Sequence, residues 1–201
     1  MPDVRPLLVL VTGEPGSGKT SLGIEVARAL RLPFLSRDDV RGGLLATAGL
    51  WTNELESSGD REGAVEAFVQ IVETAARLGV SAVLEFVVFR ERAQALARLE
   101  AVADCVVIQT VCADASMRAD ERDRSDSFLN RRAVLGALGH DSIEDYIRAP
   151  QRQVVRDGMQ TDFDLPTLTV RTDDGYDRPL TQIVDWVIER SRRGDVRSLG
   201  D

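Results

Sequence analysis

The stretch Leu7-Leu8-Val9-Leu10-Val11-Thr12-Gly13-Glu14-Pro15-Gly16-Ser17-Gly18-Lys19-Thr20-Ser21 joins an unbroken apolar run to a glycine-rich turn and the start of an amphipathic segment. Five apolar residues without alternation fit a strand covered on both faces, as in a parallel sheet. Gly13 to Thr20 then reads G-x-x-x-x-G-K-[ST], the pattern of a phosphate-binding loop. Gly16 and Gly18 can take the positive φ that turns successive backbone N–H groups inward, and the helix expected from Lys19 adds its N-terminal partial positive charge. A triphosphate is the natural guest. Gly13, Glu14, Pro15, Gly16, Ser17, Gly18, Lys19, Thr20 and Ser21 are therefore the expected nucleotide-binding residues. Lys19 would reach the β- and γ-phosphates, and the Thr20 hydroxyl would be the Mg²⁺ ligand.

The rest of the composition fits one domain. The chain has 201 residues, 43% hydrophobic, and a formal net charge of −8. That charge opposes tight, nonspecific binding of nucleic acid. Lys19 is the only lysine. No apolar run approaches the ~20 residues of a membrane span, and the first residues lack the pattern of a signal peptide, so a cytoplasmic location is expected. Cys105 and Cys112 lie seven residues apart across an expected strand, roughly 23 Å, and should not pair.

Short β-branched runs alternate with helical patterns, the signature of βα units on a parallel sheet. Strands are predicted at Leu7–Val11, Phe34–Ser36, Ala82–Val88, Cys105–Val111 and Thr167–Thr172. Helices are predicted at Lys19–Leu30, Asp39–Ala46, Asp60–Leu78, Arg90–Val102, Ser116–Leu138, Ile143–Asp157 and Pro179–Arg193. In Asp60–Leu78, Ala64, Val65, Phe68, Ile71, Val72, Ala75 and Leu78 keep three-four spacing. The expectation is an α/β P-loop NTPase fold: a five-stranded, mostly parallel sheet with helices on both faces. It is one domain over 1–194, with a lid at about 113–138 and a flexible tail over 195–201.

A second constellation follows the second strand, Ser36-Arg37-Asp38-Asp39-Val40-Arg41. Its acids suit a helix start. One βα unit after the phosphate loop, it should also open onto the crevice at the carboxyl ends of the strands. With the loop, this string resembles a group of small P-loop kinases that includes 5′-hydroxyl polynucleotide kinases, zeta toxins and chloramphenicol phosphotransferases. Polynucleotide kinases carry a similar R-D-D-x-R. The resemblance implies that Asp38 is the general base and that Arg41 holds the acceptor or the transferring phosphoryl group. Asp39, two residues from the basic residue rather than three, matches that role less well than Asp38.

Further candidates follow from position. Glu85, near the end of a buried strand, needs a partner and should line the site near Mg²⁺ or the acceptor; zeta toxins carry V-x-E-G there, whereas here Phe86 follows. Arg118 and Arg122 share a helix face where similar kinases carry an arginine-bearing lid, Arg118 toward the nucleotide and Arg122 toward the reacting phosphoryl group, with Arg124 a lesser candidate. Trp51 could stack on the acceptor. His140 belongs to a turn or cap, and Arg171-Thr172-Asp173-Asp174-Gly175 could contact the adenine through its backbone.

The function expected is ATP- and Mg²⁺-dependent phosphoryl transfer to a hydroxyl of a small molecule, such as a nucleoside, sugar nucleotide or antibiotic. The catalytic set would be Asp38, Lys19, Arg41 and Arg122, and the acceptor would meet Asp38, Arg41, Trp51 and Glu85. A 5′-hydroxyl polynucleotide acceptor, on a basic groove of Arg37, Arg41, Arg90 and Arg92, is the first alternative. A nucleotide-binding switch without phosphotransfer is the second; the chain has no N-K-x-D element of guanine-specific switches.

Overall fold

The computed structural model describes residues 5–47, 61–88, 93–126, 135–136, 139–149 and 159–197. Its sheet contains β1 (Leu7–Gly13), β2 (Phe34–Ser36), β3 (Ala82–Glu85), β4 (Asp104–Val111) and β5 (Thr167–Arg171). The spatial order is β2-β3-β1-β4-β5 and every pairing is parallel. Central β1 is registered against β3 from Leu8↔Ala82 to Val11↔Glu85 and against β4 from Leu7↔Asp104 to Gly13↔Thr110. Gly13 and Glu85 therefore finish at the same carboxyl edge of the sheet, where ligands bind in open α/β sheets.

Two apolar layers clamp the sheet. Side chains of successive strand residues point to opposite faces. Leu8 and Leu10 meet α3 (Arg61–Arg77) and α4 (Ala93–Val102) through Phe68, Val69, Val72 and Leu99. Val9 and Val11 meet α1 (Lys19–Leu30) and the C-terminal helix Leu180–Arg197 through Leu22, Val26, Ile183 and Val187. This accounts for the unbroken apolar run of β1.

Element ends show the local chemistry. Gly18, at φ 79°, leads into α1. Arg31, at φ 56°, ends it with its N–H on the carbonyls of Ala27 and Arg28. Ser36 caps α2 (Arg37–Leu45) by accepting from the Asp38 N–H at 3.2 Å. That starts the helix two residues before the predicted Asp39, with both acids in its first turn. The predicted face of α3 is rotated: Val65, Phe68, Val69, Val72 and Ala76 are buried, while Ile71 and Leu78 are exposed. The three-four rows through 68 and 72 admit either flank, and packing on α4 selects Val69 and Ala76. The strand β3 ends at Glu85 rather than Val88: its pairing stops at Val11↔Glu85 with β1 and at Ser36↔Glu85 with β2.

Beyond β4, α5 spans Ala115–Ser125 and α6 spans Ile143–Arg148, joined by Arg124 Nε donating to Glu144 Oε1 at 2.8 Å. α5 is thus described only as far as Ser125, short of the predicted Leu138. The final helix, α7 (Leu180–Arg197), continues past Gly194 for three residues beyond its predicted fray. A single glycine costs only about 1 kcal/mol in a helix. Cys105 and Cys112 are free and buried, and burial pushes the Cys105 thiol up to about 12. No helix among the described residues is long and apolar enough to cross a membrane.

Candidate active site

The phosphate loop closes tightly over the end of β1. Gly16, at φ 85°, lies so close to α5 that a Cβ there would sit 1.9 Å from the Ala115 carbonyl oxygen. A Cβ on Gly13, at φ 148°, would strike the Thr110 hydroxyl at 2.3 Å. Both positions demand glycine for conformation and for space. The Ser17 N–H returns to the Glu14 carbonyl at 3.0 Å, completing the turn.

Lys19 heads α1 but folds back beneath the loop. Its ammonium lies 3.3 Å from the Glu14 carbonyl oxygen and 3.8 Å from Glu85 Oε1, with 8% of the side chain exposed. Burial lowers its pKa below the usual 10.5, against the pull of Glu85 and Asp38. Glu85 has the partners that its burial requires: the hydroxyl of Thr20 donates to Oε1 at 3.1 Å, and that of Ser36 to Oε2 at 2.8 Å. Loop, β3 and the start of α2 thus converge on one carboxylate. Ser36 was not foreseen as a site residue; the signal for it was its position as the N-cap before two acids.

In the first turn of α2 stands Asp38, with 66% of its side chain exposed and ion-paired to Arg37. Partial desolvation raises its pKa, but the Arg37 guanidinium, with Lys19 and Arg41 nearby, outweighs this and leaves it below 3.8. The carboxylate is therefore held ionised at neutral pH. Arg37, read from the sequence only as part of a basic groove, is its direct partner.

The arginines of the expected lid divide. Arg122 donates to Asp123 Oδ1 from Nε at 3.0 Å and from Nη2 at 2.8 Å, and it lies within the electrostatic reach of both Lys19 and Asp38. The desolvation that would lower its pKa is outweighed by Asp123 and Asp38, so the pKa is raised. Arg118 instead gives Nη1 to the Thr172 carbonyl at 2.8 Å and Nη2 to the Asp173 carbonyl. Arg124 is a strut to Glu144. His140 contacts Asp145 at 3.2 Å in the turn before α6, whose cap is Ser142. Trp51, Arg90 and Arg92 fall outside the described residues. No cluster of three or more metal-ligating side chains occurs among the described residues. The Thr20 hydroxyl and the Glu85 carboxylate are oxygen donors that could hold a cation.

No protein-family model matches the chain. A 66-residue stretch, 33% of the chain, is 32% identical to a cytidylate kinase of Pyrobaculum calidifontis and spans only 36% of that protein. Among solved structures, a protein of Chloroflexus aurantiacus provisionally described as a kinase superposes with a TM-score of 0.67 at 26% identity, over 92% of this chain and 98% of that one. The Mycobacterium tuberculosis APS kinase CysC, solved with AMPPNP and APS, superposes with a TM-score of 0.53 at 22% identity, over 92% and 97%. Together with the all-parallel five-stranded sheet and the phosphate loop at its carboxyl edge, these likenesses give the chain the fold of P-loop kinases.

Proposed function

We propose that the protein is an ATP-dependent kinase that transfers the γ-phosphoryl group to a hydroxyl of a small molecule, a nucleoside, sugar nucleotide or antibiotic. The observation that carries this reading is one charged cluster at the carboxyl edge of the sheet. Lys19 and Thr20 contact Glu85, and Asp38, held ionised, and Arg122 both lie within electrostatic reach of Lys19. A binding-only protein has no need for that carboxylate. The small-molecule class is supported by the APS bound to the structurally similar CysC and by the net charge of −8, which opposes a polynucleotide.

The residues fit a triphosphate and its cation. Gly13–Thr20 offers inward N–H groups at a helix N-terminus. The pairing of the Thr20 hydroxyl with a carboxylate is an oxygen donor set suited to Mg²⁺. Mg²⁺ would supply neutralising charge on the β- and γ-phosphate oxygens. Asp38 accepts the proton of the acceptor hydroxyl as its oxygen bonds to the γ-phosphorus. The bond to the β-bridging oxygen breaks and ADP leaves. Lys19 and Arg122 balance the charge spread over the transferring group. Arg41, beside Asp38, orients the acceptor.

The test is ATP consumption with Mg²⁺ against nucleosides, sugar nucleotides, hydroxylated antibiotics and 5′-hydroxyl oligonucleotides, with Asp38→Asn alongside. Acceptor-stimulated turnover should fall roughly 10²–10⁴-fold in the variant, the usual worth of a positioned base. Stimulation by oligonucleotides alone would move the acceptor class. ATP binding without stimulation by any acceptor would turn the reading to a nucleotide switch.

A further inference from the structure

The side of the phosphate loop away from Glu85 is tied into a hydrogen-bonded knot that the transfer chemistry does not use. The Thr172 hydroxyl, just after β5, donates to the Ser17 carbonyl at 2.8 Å. The Ser17 hydroxyl meets the Thr110 hydroxyl at 2.6 Å, and Thr110 donates to the Thr12 carbonyl at 3.1 Å. Each hydroxyl has one proton, so Ser17 is the donor to Thr110. Ser17, Thr110 and Thr172 are all buried. Around them, Arg118 spans the Thr172 and Asp173 carbonyls. The Asp173 carboxylate in turn accepts from the Ala113 N–H at 2.7 Å.

We propose that Thr172 and Arg118 are positioning residues that set nucleotide affinity by locking the phosphate loop to the segment after β5. The inference rests on the nucleotide reading above and adds a role that these residues play through the loop, by their hydrogen bonds to protein carbonyls. The backbone N–H groups of the loop bind anions only while they converge, and Ser17 lies at the centre of that arc. Buried hydrogen bonds hold its carbonyl on one side and its hydroxyl on the other. Removing the Thr172 hydroxyl leaves the carbonyl unpaired away from water, and the arc relaxes. Arg118 acts one step further out, by fixing where Thr172 stands. It thereby references the base of α5, and so Arg122, to the same loop.

The experiment is calorimetric titration of the full chain with Mg²⁺-ADP, which needs no acceptor. Unfolding midpoints are measured in parallel. Thr172→Val should weaken ADP about tenfold and Thr172→Ser should restore it, with Arg118→Met giving a smaller loss. Unchanged ADP affinity in Thr172→Val with a lowered midpoint would show a merely structural role and overturn the inference. If Thr172→Val does not fold, Arg118→Met decides by the same two readings. A wild-type chain that binds no ADP overturns the nucleotide reading itself, an outcome separate from a variant that binds like wild type.

Discussion

The two sides of the pocket are built differently. On the phosphate-loop side the functional groups are buried and their partners are protein: Lys19 on Glu14 and Glu85, Thr20 on Glu85, Ser17 between Thr110 and Thr172. On the α2 side Asp38 is largely exposed and held by one arginine adjacent in sequence. The first is a preorganised cradle, with its dipoles in place before any ligand arrives. The second is open, with Asp38 presented on the first turn of α2. On the proposed reading, the difference makes affinity for nucleotide and choice of acceptor separable properties.

The hardest blow to the cradle is Lys19→Met. It should lower kcat/KM roughly 10²–10³-fold, the cost of one lost charge-stabilising donor, and should weaken ADP as well. Loss of rate with full ADP affinity would blur the distinction between the two sides. Glu85→Gln retains the fold of the pocket but removes its charge. The Mg²⁺ concentration for half-maximal activity should rise about 10–100-fold, as when a metal's supporting carboxylate is lost.

Titration sharpens the contrast. The Lys19 pKa lies below 10.5, so ADP affinity should fall as pH rises toward that value, before an ordinary lysine would discharge. Lys19→Arg should remove this alkaline limb. In the same window the unfolded chain binds more protons, so stability should rise with pH while affinity falls. Asp38 titrates below 3.8 and should give no acid limb in the rate near neutrality. Any stability owed to its pairing is present above the unfolded value and lost as pH falls through the folded one. The smallest effect belongs to Ser36→Ala, which removes the cap of α2 and one partner of Glu85. It should cost about 0.5–2 kcal/mol in denaturant unfolding, with acceptor KM raised more than that for ATP.

The cradle was legible in sequence because backbone geometry writes itself into residue type. Only glycine suits φ 85° beneath α5 at Gly16, and α1 runs over the predicted Lys19–Leu30. The inner strands β1, β3 and β4 were legible from their apolar runs, because burial on both faces leaves little room for polar side chains. The α3 face was not, since Ile71 and Val69 are equally apolar and only the contact with α4 chooses between them. Nor was the task of Arg118: its pattern marks a helix face, while its partners are carbonyls 54 and 55 residues away. Arg37 is the converse. Its pairing with Asp38 is purely local, yet an arginine beside an acid is too common on helix starts to signal a site.

The order β2-β3-β1-β4-β5 leaves β2, and with it α2, at one rim of the sheet, while the Thr172 knot follows β5 at the other. The only described side chain bridging from the α2 rim to the central carboxylate is Ser36. Such a layout is modular. If the chain is the kinase proposed above, a new acceptor can be accommodated by substitutions along α2 and its flanking segments without rebuilding the machinery that holds the phosphate donor, so one scaffold can be retuned to many alcohols.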